Sequence, residues 1–526
     1  MTRQINTTTQ WLLAYWFAFT ATAWADVLVP RANSWPNGPF KTSGRWILDA
    51  SGTNVTYAGV SWPGHGEAMV PEGLQYQSIA TIVGKVKSLG MNAIRLTYAT
   101  EMIDQIFENG GEGKDVSIEA AFVAALGKEN GTAVLEKVIK NNPSFSKATT
   151  RLQAFDAVAA ECAKQEIYIH LDNHLSKAGW CCNPWDGNAW FGDIYYSVAN
   201  WTRGLGYMAK HGKSWPNLMS MSLRNELRQP LNNMTLYSKT YNWETWYRYT
   251  QLGAAAIHDA HSGVLVFLSG LDSDSKLDAV VRGKPLSGAT PSSSASPFNA
   301  TRDFPGYAEK LVLELHTYDN PPNCSAFESS LSANGFSTLS DPGVINKMPL
   351  LMTEFGYTQD ATTWNTSVYA TCLLKYLPAQ KAGWTIWVLA GSYYIRSAVQ
   401  DYDEGWGLLT KDWSAWRSPE HVEGGLKPLV KATLEGVGIK VAGSASAAVG
   451  SNNGPPEGKI DSFANGASVG GTGTGTGTEN SKAGSGETEK KDSGAMRSCS
   501  LAGFSSIFAV GSLGMLFSLL YLVRIF

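Results

Sequence analysis

Short runs of apolar residues punctuate this chain, and between them apolar positions recur every three or four residues. The two spacings mean different things. A run of four to eight apolar residues reads as a strand buried on both faces, and the longer period as one face of a helix. The first run lies near Tyr57 to Trp62. Then come "MNAIRLTYA", "IYIHLDNH", "LMSMSLRNE", "VLVFLSGLD", "LVLELHTYDN", "PLLMTEFG" and "GWTIWVLAG", in that order. Of the segments between them, "QSIATIVGKVKSLG" places Ile79, Ile82, Val83 and Val86 on one helical face and ends at a glycine, as helices often do. "RLQAFDAVAAECAKQ" and "ETWYRYTQLGAAAIHDAH" read the same way.

Apolar strands that alternate with helices imply parallel pairing, with helices covering the outer face, and eight such units close into a (β/α)8 barrel. The predicted fold class is therefore α/β, a TIM barrel. It is preceded by an N-terminal hairpin around Ser51 and Gly52 and carries extended strand–helix loops. The longest interruptions are Glu101 to Ser146 and Lys284 to Tyr307. An open doubly wound sheet is the alternative, but no Gly-x-Gly-x-x-Gly opens a first helix.

Composition narrows the setting more than the chemistry. The 526 residues are 44% hydrophobic and carry a formal charge of -3, which gives no argument for nucleic acid as a partner. Residues 1–25 read as a signal peptide: Arg3 precedes an apolar stretch from Trp11 to Ala21, and Ala23-Trp24-Ala25 has the small-x-small cleavage pattern. Seven Asn-x-Ser/Thr acceptors follow, at Asn54, Asn130, Asn200, Asn233, Asn299, Asn323 and Asn365, and favour a glycosylated, exported protein. Export permits disulfides among Cys162, Cys181, Cys182, Cys324 and Cys372. With five cysteines in the domain, at least one is unpaired there, and the pairing stays open. Residues 26–442 form the predicted catalytic domain. Residues 443–493 are a Gly/Ser/Thr-rich tether that cannot bury a core. Residues 494–526 read either as a glycolipid-anchor signal, removed with attachment at Ser493, or as a retained transmembrane helix; the anchor is preferred because a stalk precedes the tail and almost nothing follows it.

A barrel collects its active site at the carboxyl ends of its strands. The polar residues there are His65 with Trp62; Arg95; Asp172, Asn173 and His174; Asn225 and Glu226; Asp272; His316 and Tyr318; and Glu354, with Trp384 and Trp387 on the last strand. A helix cap explains any one of these, but not a polar cluster at nearly every strand end. Glu226 and Glu354 belong to the fourth and seventh strands and can face each other across the mouth. Two carboxyls flanking a bond are what glycoside hydrolysis needs, one to donate a proton and one to act as nucleophile or base.

"LRNE", "HTYDN" and "LLMTEFG", together with "AIRLTYA", "LDNH" and "TIWVLAG", resemble the signature of glycoside hydrolase family 5, the cellulase-like retaining barrel enzymes. The resemblance covers the chain from the hairpin to about Val441. It implies that Glu226 is the general acid/base, that Asn225 hydrogen-bonds the sugar 2-hydroxyl and that Glu354 is the nucleophile. Arg95 and Tyr318 would hold Glu354 ionised and oriented. His174 and His316 would line the subsite where the bond is cut, and Trp387 would form its floor. No cofactor or metal is implied. Two departures leave the substrate open: Leu227-Arg228 stand where many relatives have proline after Asn-Glu, and the loop "HLSKAGWCCNPWDGNAWFGD" is long.

Several features have a plainer reading. His258 and His261 are expected on a solvated helix face, and "LDSDSKLD" is expected to cap a helix near Asp274, since it lacks the Gly and Glu of a calcium loop. Trp180, Trp185, Trp190 and Trp201 are sugar-stacking residues or core. A monomeric hydrolase of a polysaccharide or oligosaccharide is the expected function, with a β-1,4-glucan as preferred substrate. Mannan, another β-glucan or a glycolipid are alternatives, as are transglycosylation and a tethered, non-catalytic carbohydrate-binding protein.

Overall fold

A computed structural model of the chain describes residues 35–290 and 295–441. The expected signal peptide, tether, anchor signal and Ser493 lie outside the described residues. No helix among the described residues is long and apolar enough to cross a membrane.

Three short strands, β1 (Lys41–Ser43), β2 (Trp46–Leu48) and β3 (Asn54–Val55), form the antiparallel N-terminal sheet, and the turn between β2 and β3 spans Ser51 and Gly52. Eight parallel strands then close into a barrel: β4 (Ala58–Trp62), β5 (Ala93–Ala99), β6 (Tyr168–Leu175), β7 (Leu218–Ser222), β8 (Leu265–Ser269), β9 (Leu311–His316), β10 (Leu350–Glu354) and β11 (Gly383–Ile386). Each neighbours the next in sequence, and β11 pairs with β4 to close the ring. All residues of these eight strands are buried, as expected where helices cover the outside and side chains fill the inside. The barrel expected from the apolar runs is the one observed.

The helices begin where side chains can take the orphaned amides of the first turn. Ser78 accepts from the Thr81 amide to start Ile79–Ser88. Thr150 and Gln153 form a reciprocal capping box on Arg151–Lys164. Most of the core lies between barrel and helices. A second cluster fills the amino-terminal end of the barrel, where Phe40 and Ile47 from the N-terminal segment pack on Tyr57, Tyr168, Phe267 and Val312. Each large side chain buried there stabilises the fold by about 1.5–3 kcal/mol. The hairpin is thus the plug of the end opposite the active-site face, which explains its place ahead of the first barrel strand.

Two loop regions build outward from the carboxyl ends. After β6, the segment from Ser176 to Ser197 carries Trp180 and the adjacent, mutually bonded Cys181 and Cys182. After β11, β12 (Ser392–Arg396) and β13 (Val399–Asp403) form a hairpin whose Arg396 lies 3.2 Å from the centroid of Trp180 and 4.4 Å from that of Tyr402. Glu404 accepts a hydrogen bond from Arg396, so the cation is held between rings and a carboxylate. Cys324 and Cys372 are bonded, joining two helices that flank β10, and Cys162 is free and buried.

Some local expectations need correction. His258 and His261 are half-buried: His258 stacks on Tyr307 at 4.1 Å, and His261 Nδ1 accepts from the Gly263 amide. Asp274 caps no helix, because the turn Leu271–Asp274 runs through left-handed backbone at Asp272, Ser273 and Asp274, which directs its carboxyl inward. Trp190 and Trp201 are core, Trp180 is half-buried at the site and Trp185 is exposed.

Candidate active site

The strand ends bring the two carboxyls together. Glu354 ends β10 beside His316 at the end of β9 in the ladder, while Glu226 follows β7. Carboxylate oxygens of Glu226 and Glu354 and a ring nitrogen of His316 all lie within 4.8 Å of one another. That spacing falls short of the roughly 6.5–9.5 Å at which an inverting pair admits its attacking water, and it accords with the roughly 5–5.5 Å separation at which one carboxylate attacks the anomeric carbon directly.

Glu226 sits at φ 48°, a left-handed conformation unusual for a residue with a side chain. Such a backbone costs about 1–3 kcal/mol and persists only when its neighbours fix it. They do so here: Asp274 Oδ2 accepts from the Glu226 amide at 2.7 Å, and Arg228 Nη1 donates to its carbonyl at 2.9 Å. Arg228 also donates to the Asn183 carbonyl and pairs with Asp186 at 2.5 Å, pinning the long loop after β6 to the same residue. The Leu227-Arg228 departure in the sequence is therefore a clamp. Asp274→Ala, which leaves the Glu226 amide without its acceptor, is expected to lower kcat roughly tenfold or more and to destabilise the fold by about 1–3 kcal/mol. Steady-state kinetics and denaturant melts check both.

Arg95 is wholly buried and joins the centre. Nη1 donates to Glu354 Oε2 at 2.8 Å, and Nη2 donates to Asn225 Oδ1 at 2.5 Å and pairs with Asp172 at 3.1 Å. Tyr318 donates its hydroxyl to the other Glu354 oxygen at 2.7 Å. Because Arg95 faces the Asn225 carbonyl oxygen, the amide nitrogen points the other way, 3.5 Å and 3.4 Å from the sulfurs of Cys181 and Cys182. His174 Nδ1 lies 2.7 Å from Asp172 Oδ2; burial, then Arg95, holds its ring neutral, so Nδ1–H donates and Nε2 remains the acceptor. The His174 ring stacks on Trp387 at 5.4 Å and 7°, and His65 lies 3.9 Å from His174 and 6.2 Å from Trp387.

Burial raises the carboxyl pKa values because it penalises the charged form. Glu226 is pushed up to about 7 by burial, with Arg228 and Arg95 opposing. Glu354 is also raised by burial, but Arg95 and the Tyr318 hydroxyl pull against it, and both favour the carboxylate. One carboxyl thus has a proton to give near neutrality, and the other has partners for a negative charge. As for a metal among these groups, both His316 nitrogens are occupied, Nδ1 by Glu226 at 3.3 Å and Nε2 by Thr353 Oγ1 at 3.1 Å, so the ring offers no free ligand.

The structure thus gathers Arg95, His174, Asn225, Glu226, His316, Tyr318, Glu354 and Trp387 at one mouth. Trp384 instead turns outward to Thr433, and Asp272 pairs with Tyr241 and Lys276. Sequence reasoning missed Asp274, Glu314 and Thr353. Asp274 sits in a Ser/Asp-rich turn that reads as a cap, and only the position of Glu314 two residues before His316, on the same inward face, could have drawn notice. Of the glycosylation candidates, Asn130, Asn233, Asn299, Asn323 and Asn365 are exposed, while Asn54 and Asn200 are half-buried and Asn200 donates to Asp104.

Comparison with known proteins finds relatives of this chain. Residues 48–392 match the family model for cellulase, glycosyl hydrolase family 5. A glycosyl hydrolase 5 family protein from Chamaecyparis obtusa is 36% identical over 399 residues, which are 73% of this chain and 65% of that relative's length. An endoglucanase from Paenibacillus polymyxa is 23% identical over 404 residues, 75% of this chain and 88% of the relative. Among solved structures, an endocellulase from the archaeon Pyrococcus horikoshii superposes with a TM-score of 0.54 at 17% identity, covering 75% of this chain and 98% of the other. The catalytic domain of the major endoglucanase from Xanthomonas campestris pv. campestris gives 0.51 at 18% identity, covering 75% and 99%. The structural likenesses bear on the fold.

Proposed function

The chain belongs to the cellulase family, glycosyl hydrolase family 5, and is a glycoside hydrolase, and from that premise we propose that it cleaves a β-1,4-glucan with retention of configuration. The close pair of unlike carboxyls carries this reading. Glu354 attacks the anomeric carbon and forms a C1–O bond to its carboxylate, while the bond from C1 to the leaving oxygen breaks and that oxygen takes the proton of Glu226. Glu226, now a carboxylate, then removes a proton from water as it attacks C1, which releases Glu354 and returns the sugar in its original configuration. Arg95 and Tyr318 keep Glu354 ionised and aimed. The Asn225 amide nitrogen, turned away from Arg95, donates to the 2-hydroxyl, and Trp387 offers an aromatic face to a sugar ring.

Trp180, braced by Arg396, stands edge-on to Trp387 at 6.2 Å, and Cys181 and Cys182 lie against Asn225, which supports recognition of a glycan that runs along these rings. Reducing-sugar release from a panel of β-1,4-glucans, mannans, other β-glucans and glycolipids, with Glu354→Ala as control, tests the substrate. Release only from mannan or glycolipid would replace the β-1,4-glucan, and binding without release, shared by the variant, would favour a tethered binding protein.

Export and anchoring to the outer cell surface form part of the same proposal, supported by the leader pattern and the Ser493 region of the sequence. Phosphatidylinositol-specific phospholipase is expected to release the protein from intact cells; full retention would favour the transmembrane alternative.

A further inference from the structure

Beneath Glu226 a line of buried polar groups runs down the barrel interior. Glu314 of β9 is fully buried, and its Oε2 accepts from Thr353 Oγ1 at 2.9 Å and from Ser222 Oγ at 2.8 Å. Burial pushes Glu314 up to about 7, but its other oxygen, Oε1, is buried without a hydrogen-bond partner among the described residues, so a proton taken up there leaves Oε2 the acceptor of both hydroxyls. Each hydroxyl has one proton, and a proton given to Glu314 is not available for a second partner. Thr353 must therefore accept from His316 Nε2 at 3.1 Å, and Ser222 from His170 Nε2 at 2.8 Å.

Both imidazoles are neutral near pH 7, since burial, with Arg95 among the opposing charges, lowers His316 to about 4 and His170 to about 3. A neutral ring protonated at Nε2 has a bare Nδ1. His316 Nδ1 lies 3.3 Å from Glu226 Oε1. Two acceptors cannot share that contact, so the proton between them belongs to the carboxyl of Glu226. The other branch obeys the same polarity: bare His170 Nδ1 accepts from Ser220 Oγ at 2.7 Å, which leaves Ser220 to accept from the Tyr57 hydroxyl at 2.6 Å.

We infer that Glu314 is a positioning residue: as the shared end of two directed hydrogen-bond chains, it fixes the His316 tautomer and so keeps a proton on Glu226. The inference rests on the reading of Glu226 as proton donor. Glu314 itself faces Arg95 of β5, His170 and Asp172 of β6 and Asp274 beyond β8. Glu226 faces Arg95, Asp172, Asp186 and Arg228, with Glu354 across the mouth and Asp274 beneath. The two arginines draw its proton off, and the carboxylates hold it on. With charges acting in both directions, the direction of the His316 hydrogen bond helps to decide where the proton resides.

The test is the pH dependence of kcat/KM on a β-1,4-glucan oligosaccharide for the wild type, Thr353→Val, Glu314→Leu and Glu314→Gln. Thr353→Val and Glu314→Leu free His316 to carry its proton on Nδ1, which then donates to a Glu226 carboxylate, so the alkaline limb is expected to move down by about one pH unit. Glu314→Gln can present its amide oxygen to the same two hydroxyls and should leave the limb in place. A merely structural role would lower kcat or melting temperature without moving the limb. An unmoved limb in folded Thr353→Val overturns the inference, and this variant carries the test even if Glu314→Leu does not fold. ¹⁵N shifts of the His316 ring, independent of activity, should place the wild-type proton on Nε2; a proton on Nδ1 would likewise overturn it. An alkaline limb that survives in Glu226→Ala would instead sink the reading of Glu226 as donor, and this inference with it.

Discussion

Glu354→Ala is expected to reduce kcat by roughly 10⁵-fold, the loss that follows when an enzyme keeps its binding site but not its nucleophile. The residual protein should still bind glucan, because Trp387, His174 and Asn225 are untouched. The diagnostic result lies in the product. Removing the carboxylate opens a space beneath C1 next to Arg95, into which azide can enter. Azide then attacks from the face that Glu354 occupied while Glu226 protonates the leaving oxygen, and the product is the α-glycosyl azide. Nuclear magnetic resonance of the anomeric proton reads this directly. A β-azide, or wild-type turnover, would remove Glu354 from the role of nucleophile.

Glu226→Ala should behave differently. On a glucan, whose leaving oxygen needs a proton, the loss is expected to be roughly 10²–10⁴-fold. On an aryl glycoside with an acidic leaving phenol the first step should survive, and azide should intercept the glycosyl-enzyme to give the β-azide. The pH profile carries the second half of this prediction. By the proposed mechanism activity requires Glu226 protonated and Glu354 ionised, so it should fall as pH rises through about 7, the value to which burial lifts Glu226. It should also fall on the acid side, at a pH above the ordinary carboxylate range, because burial raises Glu354 too. In Glu226→Ala the alkaline limb should vanish while the acid limb remains. A profile with both limbs intact would place the proton donor elsewhere.

The barrel was readable because apolar residues predominate in each of its strands and turn residues or helical spacing follow, a pattern that burial on both faces imposes. The site was readable for a related reason: residues such as Asn225, Glu226 and Glu354 sit where those runs stop, and nothing in strand formation calls for carboxyls there. What escaped was what lies underneath. Glu314 and Thr353 fall inside apolar runs, and their partners come from other strands, so no local pattern distinguishes a buried carboxyl wired to two hydroxyls from a chance polar residue. Asp274 was misread because its turn has the composition of a cap; only its left-handed backbone, fixed by tertiary contacts, turns the carboxyl toward Glu226. His258 on the Trp243–Ala260 helix was misplaced for a similar reason, since its aromatic partner arrives from a distant segment.

Arg95 has a consequence for how the activity can fail. Its guanidinium is stripped of water when the barrel closes, and Glu354, Asn225 and Asp172 then take the donors that water gave up. The costly dehydration is thus completed once, during folding, and each catalytic cycle starts from groups already dry and already aimed. The cation that orients Glu354 also ties β5 to β6 and β10. Heat or denaturant should therefore extinguish activity and the fold along a single curve, with no interval in which an intact barrel stands idle.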